Sequence, residues 1–466
     1  MSAHVIRRRN VSHPRFARRD CCTVERVESR IHLAIDVAVG TGAAARTVVF
    51  TDGDGTQGAI RVNGGAATLT FEGSPDVSQS TSGGVSTVTG TNVQWLNMVI
   101  TGTNPSVVVT TTGGNGQVTL GGMSAAGPVS SVQGRGVVLG GTTTLSNGIG
   151  RVELAGINDA DITINRSGQA RLQDASITAL AVQESTITSQ QPLRMLRVGS
   201  WTSTIPGQPD SVTTPRINLL QSGGDFMADL ALSGNGQAVG RPILGNVRVL
   251  GALREGEWNV TGRASRVAAD SIASNWAGTF GDVASISVAG DVAGNITANS
   301  VNSLSAETFN GARINLTRPF QGRSSAVNRL SARGAITNTI VRSNADIGTV
   351  SAASITTSTF FAGVQGDVLP TAATAFVNAA TIRNVTIRNR GATTPVFVAS
   401  NIAASTLGRM NLGTVQVTNN GIPFGLAAQT IQSLSAIGAN NTPVREARMT
   451  EPTDSLDLGD FEVRVF

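Results

Sequence analysis

A six-residue phrase, apolar-x-x-apolar-Ser-small, recurs along the chain and constrains the fold more than any other feature of the sequence. Copies begin at Val283, Val301, Val327, Ile347 and Ile431, and looser copies with a varied fifth residue begin at Ile149, Leu193, Leu244, Ile382 and Leu407. The fourth and sixth positions lie on the same face of a strand, because side chains alternate along it. A lone short strand can neither bury that face nor pair its own backbone, whereas stacked coils achieve both. The repeat therefore predicts an all-β fold, a parallel β-helix or β-solenoid, over residues 145–440.

The spacing of the phrase predicts irregular coils. Successive copies at 283, 301, 327 and 347 start 18, 26 and 20 residues apart, so some coils must carry loops. Pairs of Gly with Asp or Asn, at 290–291, 294–295 and 310–311, suit the tight corners between strands. A set of β-sandwiches is the alternative interpretation, but it would show hairpin turns without a recurrent phrase.

The regions on either side of the array read differently. Residues 46–144 contain short alternating strands such as 46–50, 58–62 and 67–71, separated by Gly-Asp and Gly-Gly turns. They predict a short antiparallel β region that caps the open end of the solenoid. Residues 441–466 read as a linker followed by a C-terminal strand with alternating Phe461, Val463 and Val465.

The basic character of the chain is concentrated at its start. The formal net charge is +5, and the sequence contains no Lys. Residues 1–46 contain nine Arg and four acidic residues. Residues 47–466 contain 26 Arg and 26 acidic residues, so their net charge is zero. We interpret residues 1–45 as a basic leader or export segment that is disordered or removed. No apolar run reaches the length of a membrane span. The balanced body also argues against a nucleic-acid partner, which requires a basic surface.

The positions of the histidines and cysteines limit the kinds of catalysis and metal binding that the folded body could carry out. All three His (His4, His13 and His32) and both Cys (Cys21 and Cys22) lie in the predicted leader. Without the leader, the protein has neither Ser-His-Asp nor Cys-His nucleophilic catalysis and no His-ligated zinc.

The segment Val27–Leu33 resembles the N-terminal Leu-Glu-Pro-Arg-x-Leu-Leu segment of many exported bacterial proteins. Glu28, Arg30 and Leu33 match that pattern, whereas Ser29 stands in place of the Pro. In the body, the phrases at 48–56, 224–234 and 257–262 are similar to phrases of uncharacterised exported bacterial β-repeat surface proteins. The resemblance implies a secreted or cell-surface location and carries over no catalytic residue.

Two short motifs are candidates for binding. Asp52 and Asp54, in Asp-Gly-Asp-Gly-Thr, are hard oxygen ligands suited to calcium, although an EF-hand-like loop would need Gly and Glu where Gln57 and Asn63 stand. Because those ligands are missing, a polar turn between two strands is the favoured interpretation of this motif, and the calcium site is the alternative.

The second candidate is the cluster Glu255, Glu257 and Trp258, which is the nearest approach to a sugar site. Its indole would stack on a sugar ring while a carboxylate acts as an acid. Ordinary surface and corner residues are the alternative interpretation of this cluster.

These observations favour a structural or adhesive surface protein without catalytic activity. Its solenoid would present a long, neutral, Thr/Ser/Asn-rich face to polysaccharide or to other cell-envelope components. The alternative is a polysaccharide lyase or glycoside hydrolase on the same scaffold, which would need carboxylates and an Arg aligned across coils. A folded part of a larger secreted array, with its activity elsewhere, is a third hypothesis.

Overall fold

The computed structural model describes residues 34–466 apart from 167–173, 206–209, 237, 239, 323 and 389–393. The described residues form an all-β fold. Its strands in chain order are β1 Ile35–Gly40, β2 Thr47–Thr51, β3 Gln57–Ser82, β4 Val85–Thr112, β5 Val118–Leu120, β6 Met123–Ala125, β7 Val129–Leu139, β8 Thr143–Leu145, β9 Ile149–Asn158, β10 Asp161–Ile164, β11 Ala175–Gln183, β12 Thr186–Ser189, β13 Leu193–Thr202, β14 Ser211–Thr214, β15 Ile217–Ser222, β16 Asp229–Leu232, β17 Leu244–Val249, β18 Ala252–Leu253, β19 Glu257–Val260, β20 Ala264–Ala269, β21 Ser271–Ile272, β22 Ala277–Val288, β23 Asp291–Val292, β24 Asn295–Ala306, β25 Thr308–Asn310, β26 Arg313–Leu316, β27 Ser325–Ala332, β28 Ala335–Thr337, β29 Ile340–Ser343, β30 Asp346–Ala352, β31 Ser354–Thr356, β32 Thr359–Ala362, β33 Thr381–Ile387, β34 Phe397–Val398, β35 Asn401–Ala404, β36 Thr406–Thr414, β37 Phe424–Ala428, β38 Thr430–Ile437, β39 Pro443–Met449, β40 Leu456–Leu458 and β41 Phe461–Val465.

Helical structure among the described residues is confined to the single 3₁₀ turns Ala373–Ala375, Ala439–Asn441 and Pro452–Asp454. In this described part of the chain, no helix has the length and apolar character needed to cross a membrane.

The strands stack into three parallel ladders. Ladder A contains β6, β8, β10, β12, β14, β16, β19, β22, β24, β26, β29, β32, β35, β37 and β41, and ladder B contains β7, β9, β11, β13, β15, β17, β20, β22, β24, β27, β30, β33, β36 and β38. The short strands β18, β21, β23, β25, β28, β31 and β34 form ladder C. Strands β22 and β24 bend from ladder A into ladder B, which they enter at Val283 and Val301. The coils from β17 to β35 thus pass through B, C and A in turn, whereas the earlier coils pass from B to A without a ladder C strand, and the predicted β-solenoid is confirmed.

The recurrent phrase sets the register of ladder B. Its first positions pair in one unbroken column: Val283, Val301, Val327, Ile347, Ile382, Leu407 and Ile431. The fourth positions, from Ile286 to Leu434, form a second buried column beside it. Like residues therefore stack on like residues, and each coil buries the apolar face of the next. The uneven spacing arises from loops, such as 317–324 between β26 and β27 and 363–380 between β32 and β33.

Aromatic side chains fill the widest part of the interior. Trp201, Phe226, Trp258, Trp276 and Phe280 form one continuous column, with 5.6, 5.9, 5.4 and 6.4 Å between successive ring centroids. Their edge-to-face and tilted contacts are the preferred geometries of aromatic pairs. The four tryptophans of the chain all lie within the core.

At its N-terminal side the solenoid begins earlier than predicted. Strands β3 and β4 pair antiparallel along most of their length. On its other edge, β4 pairs parallel with β6 at Met98–Met123 and with β7 at Ser106–Ser131. Parallel pairing therefore extends into the region expected to be a separate antiparallel cap, and β8 continues ladder A across residue 145.

Part of the predicted leader belongs to the folded body. β1 pairs antiparallel with β3, from Ile35–Phe71 to Gly40–Ala66, and Val37 and Val39 are fully buried. The prediction of a disordered or removed segment is wrong for residues 35–40, because their alternating valines complete the core. Residues 1–33, including the Leu-Glu-Pro-Arg-like segment Val27–Leu33, lie outside the described residues.

The C-terminal end of the solenoid is covered by strands. β39 pairs antiparallel with β38 on ladder B, and the predicted final strand, β41, extends ladder A parallel to β37. Phe461, Val463 and Val465 point into the core as their alternation predicted. β40 then pairs antiparallel with β41, so the segment expected to be a linker contains two further strands.

Candidate functional site

Charge is distributed unevenly over the solenoid, although the body is neutral in total. From β13 to β38, the strands of ladder B contain two acids: Asp346, which is buried and bonded to Arg383 at 3.3 Å, and Asp282, where β22 bends from ladder A into ladder B. The same segments carry seven arginines: Arg194, Arg197, Arg248, Arg266, Arg329, Arg383 and Arg409. Over the same coils, ladder A is mixed, with Asp229 and Glu257 beside Arg313 and Arg342. Ladder B is therefore the cationic face.

A cleft of about 660 Å³ runs along the corner where ladder B turns toward ladder C. Its floor is a column of small residues in register, Ala268, Ser287, Ser305 and Ser331. Arg248 begins this column, since it pairs with Ala268. Because adjacent strands are about 4.8 Å apart, the floor from Arg248 to Ser331 is roughly 19 Å long.

Four arginines surround the cleft: Arg248, Arg329, Arg333 and Arg388. Arg388 is held in place, because Nη2 donates hydrogen bonds to the carbonyl of Ala332 at 3.1 Å and to Ser351 Oγ at 3.0 Å. Asp270 is the single carboxylate that lines the cleft.

The cleft arginines are largely free to bind a ligand. Arg333 contacts Glu307 at 3.6 Å, but both side chains are largely exposed, so this pair is weak. Within the described part of the chain, Arg248 and Arg329 form neither an ion pair nor a side-chain hydrogen bond. A guanidinium binds carboxylate, sulfate or phosphate through two parallel hydrogen bonds. The serine hydroxyls of the floor both donate and accept hydrogen bonds. These groups are able to hydrogen-bond both anionic and hydroxyl groups.

The predicted calcium ligands form a hydrogen-bonded turn that also contacts Asn115, whose amide donates to Oδ2 of Asp54 at 3.4 Å. Oδ1 of Asp52 accepts hydrogen bonds from the amides of Asp54 (3.2 Å) and Thr56 (2.9 Å). Oδ1 of Asp54 accepts from the amide of Thr56 at 2.8 Å and from its hydroxyl at 2.7 Å. Among the described residues, no three His, Cys, Asp or Glu side chains cluster in a way that would hold a metal ion. The structure thus supports the polar-turn interpretation more directly than the calcium site.

The two carboxyls of this turn have opposite pKa shifts. Burial, followed by the hydrogen bond with Asp54, raises the pKa of Asp52. The hydroxyl of Thr56 is the main donor that lowers the pKa of Asp54 to about 2. Asp54 therefore ionises at a lower pH than Asp52, and its carboxylate holds the turn closed through Thr56.

The predicted sugar cluster is not assembled. Along β19, Glu257 points to solvent and Trp258 points inward, with 0% of its surface exposed. The Trp258 indole donates a hydrogen bond to the carbonyl of Ala228 at 3.2 Å, inside the core. Glu255 is an exposed turn residue with a φ of +62°. The prediction that Trp258 stacks on a sugar is wrong, because side chains alternate along a strand and place the indole and the Glu257 carboxylate on opposite sides.

Another polar cluster lies at the opposite corner of ladder B. Asp282 Oδ1 accepts hydrogen bonds from Asn299 at 2.7 Å, Ser300 at 2.5 Å and Arg318 at 3.1 Å. Burial opposes ionisation, but the bonds from Ser300 and Asn299 and the charge of Arg318 outweigh it and lower the pKa of Asp282. A carboxylate ionised and bonded in this way does not fit the general acid of a glycosidase.

Comparison of the chain with protein-family models, with curated proteins and with solved structures found no match. The fold defines the chain as a parallel β-solenoid protein, and the arginine-lined cleft is a candidate site within the described residues.

Proposed function

We propose that this protein is a non-catalytic, adhesive β-solenoid, secreted or held at the cell surface, which binds acidic polysaccharide in the cleft lined by Arg248, Arg329, Arg333 and Arg388. The observation that carries the proposal is the segregation of arginine onto ladder B, above a floor of serine and alanine. The N-terminal resemblance supports the exported location.

The surface chemistry favours an acidic ligand over a neutral one. Neutral sugars are commonly held by stacking on an exposed Trp or Tyr ring, which offers an apolar face with a polar edge. Here Tyr is absent from the sequence, and Trp95, Trp201, Trp258 and Trp276 are all buried. Charge-assisted hydrogen bonds from arginine therefore have to supply most of the affinity.

The same observation disfavours single-stranded nucleic acid, which proteins bind by stacking bases on aromatic rings along a basic groove. The cleft supplies the cations without the rings, since none of its lining residues is aromatic. Serine hydroxyls along the floor match the many hydroxyls of a sugar chain instead.

The proposal is tested by incubating the full chain with immobilised polygalacturonate, alginate, heparin and neutral dextran, while chain length is followed in solution. We expect retention on the acidic polymers, release by added salt because the contacts are ionic, and no shortening of any polymer. Retention on dextran alone would contradict the proposal. Reproducible depolymerisation would replace it with the lyase or hydrolase alternative.

A further inference from the structure

A second groove, of about 370 Å³, continues the arginine cleft toward the N-terminal end of the solenoid. Arg248 and Leu250 line both depressions, so the two meet at these residues. Arg197 also lines the second groove, and it is exposed without a side-chain hydrogen bond or ion pair within the described residues.

One column of paired residues forms the base of both grooves. Its members, in register along ladder B, are Thr178, Arg197, Gln221, Arg248, Ala268, Ser287, Ser305 and Ser331. Seven steps at about 4.8 Å give a straight track roughly 34 Å long. A track of this length is far longer than a single sugar and suits an extended polymer.

The wall of the second groove combines apolar and small residues. Leu180 and Leu250 are exposed at 66% and 57%, which is unusual for large apolar side chains on this protein. Gly199 and Gly223 lie on the same side of the groove. A Cβ at Gly199 would lie 2.1 Å from the carbonyl oxygen of Leu180, so only glycine fits there. The two leucines therefore lie on either side of a low glycine step, three strands and about 14 Å apart, where each can contact the C–H face of a sugar ring.

We propose that the two grooves form one continuous track for a single extended polyuronate chain, which contacts Arg197, Arg248 and the arginines around Ser331 at the same time. This inference rests on the proposed function and adds the length and class of the ligand. The arginines are widely spaced along the track, which matches one carboxylate per sugar better than a densely sulfated chain. The leucines and the alanine floor also suit a polymer with apolar ring faces between its charges. Simultaneous contacts at both ends make binding length-dependent, because the second contact forms intramolecularly.

The test measures the affinity of the full chain for oligogalacturonates of two lengths, one shorter than about 19 Å and one longer than about 34 Å when extended. We expect the long oligomer to bind at least about tenfold more tightly. The substitution Arg197→Gln should remove most of that gain. Arg313→Gln, which removes an exposed arginine from ladder A, should leave it intact. The Arg197 comparison also separates a true second contact from the statistical advantage of any longer chain.

The outcomes distinguish the two proposals. If both lengths bind equally, or if Arg197→Gln leaves the gain unchanged, the continuous track is wrong and the binding cleft stands. If neither length binds, both proposals fail. Tighter binding of a heparin oligosaccharide or of a single-stranded polynucleotide of matched length would overturn the assignment of the ligand as a polyuronate.

Discussion

The indoles of Trp258 and Trp276 meet edge to face inside the solenoid, with their ring centroids 5.4 Å apart. Their N–H groups differ: that of Trp258 donates to the carbonyl of Ala228, whereas that of Trp276 is buried without a hydrogen-bond partner among the described residues. The two neighbours therefore form a matched pair for separating packing from hydrogen bonding.

Trp258→Phe should destabilise the protein by about 1–3 kcal/mol, because it leaves the buried carbonyl of Ala228 without this donor. Trp276→Phe should change stability by less than about 1 kcal/mol, since the lost packing is offset by removal of an unpaired N–H. Urea unfolding of both variants makes the comparison. Equal costs would show that the hydrogen bond of Trp258 contributes nothing.

The Asp52–Asp54 turn predicts opposite effects of two similar substitutions. The lowered pKa of Asp54 stabilises the fold above its ordinary value of 3.8, and this contribution is lost as pH falls toward about 2. The raised pKa of Asp52 has the opposite sign: it favours the fold below pH 3.8 and disfavours it above the raised pKa. At pH 7, Asp54→Asn should therefore lower the melting temperature, whereas Asp52→Asn should leave it equal or higher. Both differences should shrink in acid, and thermal melts from pH 2 to pH 7 measure them.

Calcium should have little effect on this turn. The Oδ1 atoms of Asp52 and Asp54 already accept hydrogen bonds from the amides of the turn, and calcium binding would have to compete with them. A ligand that binds only the folded state raises the melting temperature by an amount that increases with its concentration and its affinity. We expect equal melting temperatures in calcium and in chelator. A rise that depends on calcium and disappears in Asp54→Asn would establish the metal site instead.

Strand β1 predicts where the folded body begins. A chain that starts at Ala34 retains β1, whereas one that starts at Arg46 loses Val37 and Val39 from the core and exposes the edge of β3. Loss of these two buried valines should cost about 3–6 kcal/mol. The exposed edge should also promote aggregation. Denaturant midpoints and light scattering compare the two chains, and equal behaviour would contradict the role of β1.

The fold could be predicted from the sequence because the pattern that identifies it also creates it. The apolar positions of the phrase at Val283, Val301 and Val327 pair with one another in the structure. The first residue of the solenoid was harder to predict. Short Gly-rich strands have the same sequence pattern whether they pair with a hairpin neighbour or with the next coil. Because side chains alternate along a strand, Glu257 and Trp258 had to point to opposite faces of the sheet. The prediction of a sugar cluster did not take this alternation into account.

The arginine cleft could not be read from composition. Equal numbers of Arg and acids made the body look neutral, and the segregation of charge depends on which ladder each strand joins. A partial signal was present, because the third position of the phrase is arginine at Arg151, Arg329 and Arg409. Arg388 could not have been assigned, because it reaches the cleft from a coil two steps away, through its bonds to Ala332 and Ser351.

The most direct test of the acidic-polysaccharide cleft is the affinity of three proteins for polygalacturonate: wild type, Arg329→Gln and Arg313→Gln. Both substitutions remove one exposed arginine and the same charge, but only Arg329 lines the cleft. We predict about a tenfold loss for Arg329→Gln, the effect of one charge-assisted hydrogen bond, and no change beyond error for Arg313→Gln. Equal losses of affinity in the two variants would show that binding depends only on the net charge of the protein. No loss of affinity in either variant would contradict the cleft as the binding site.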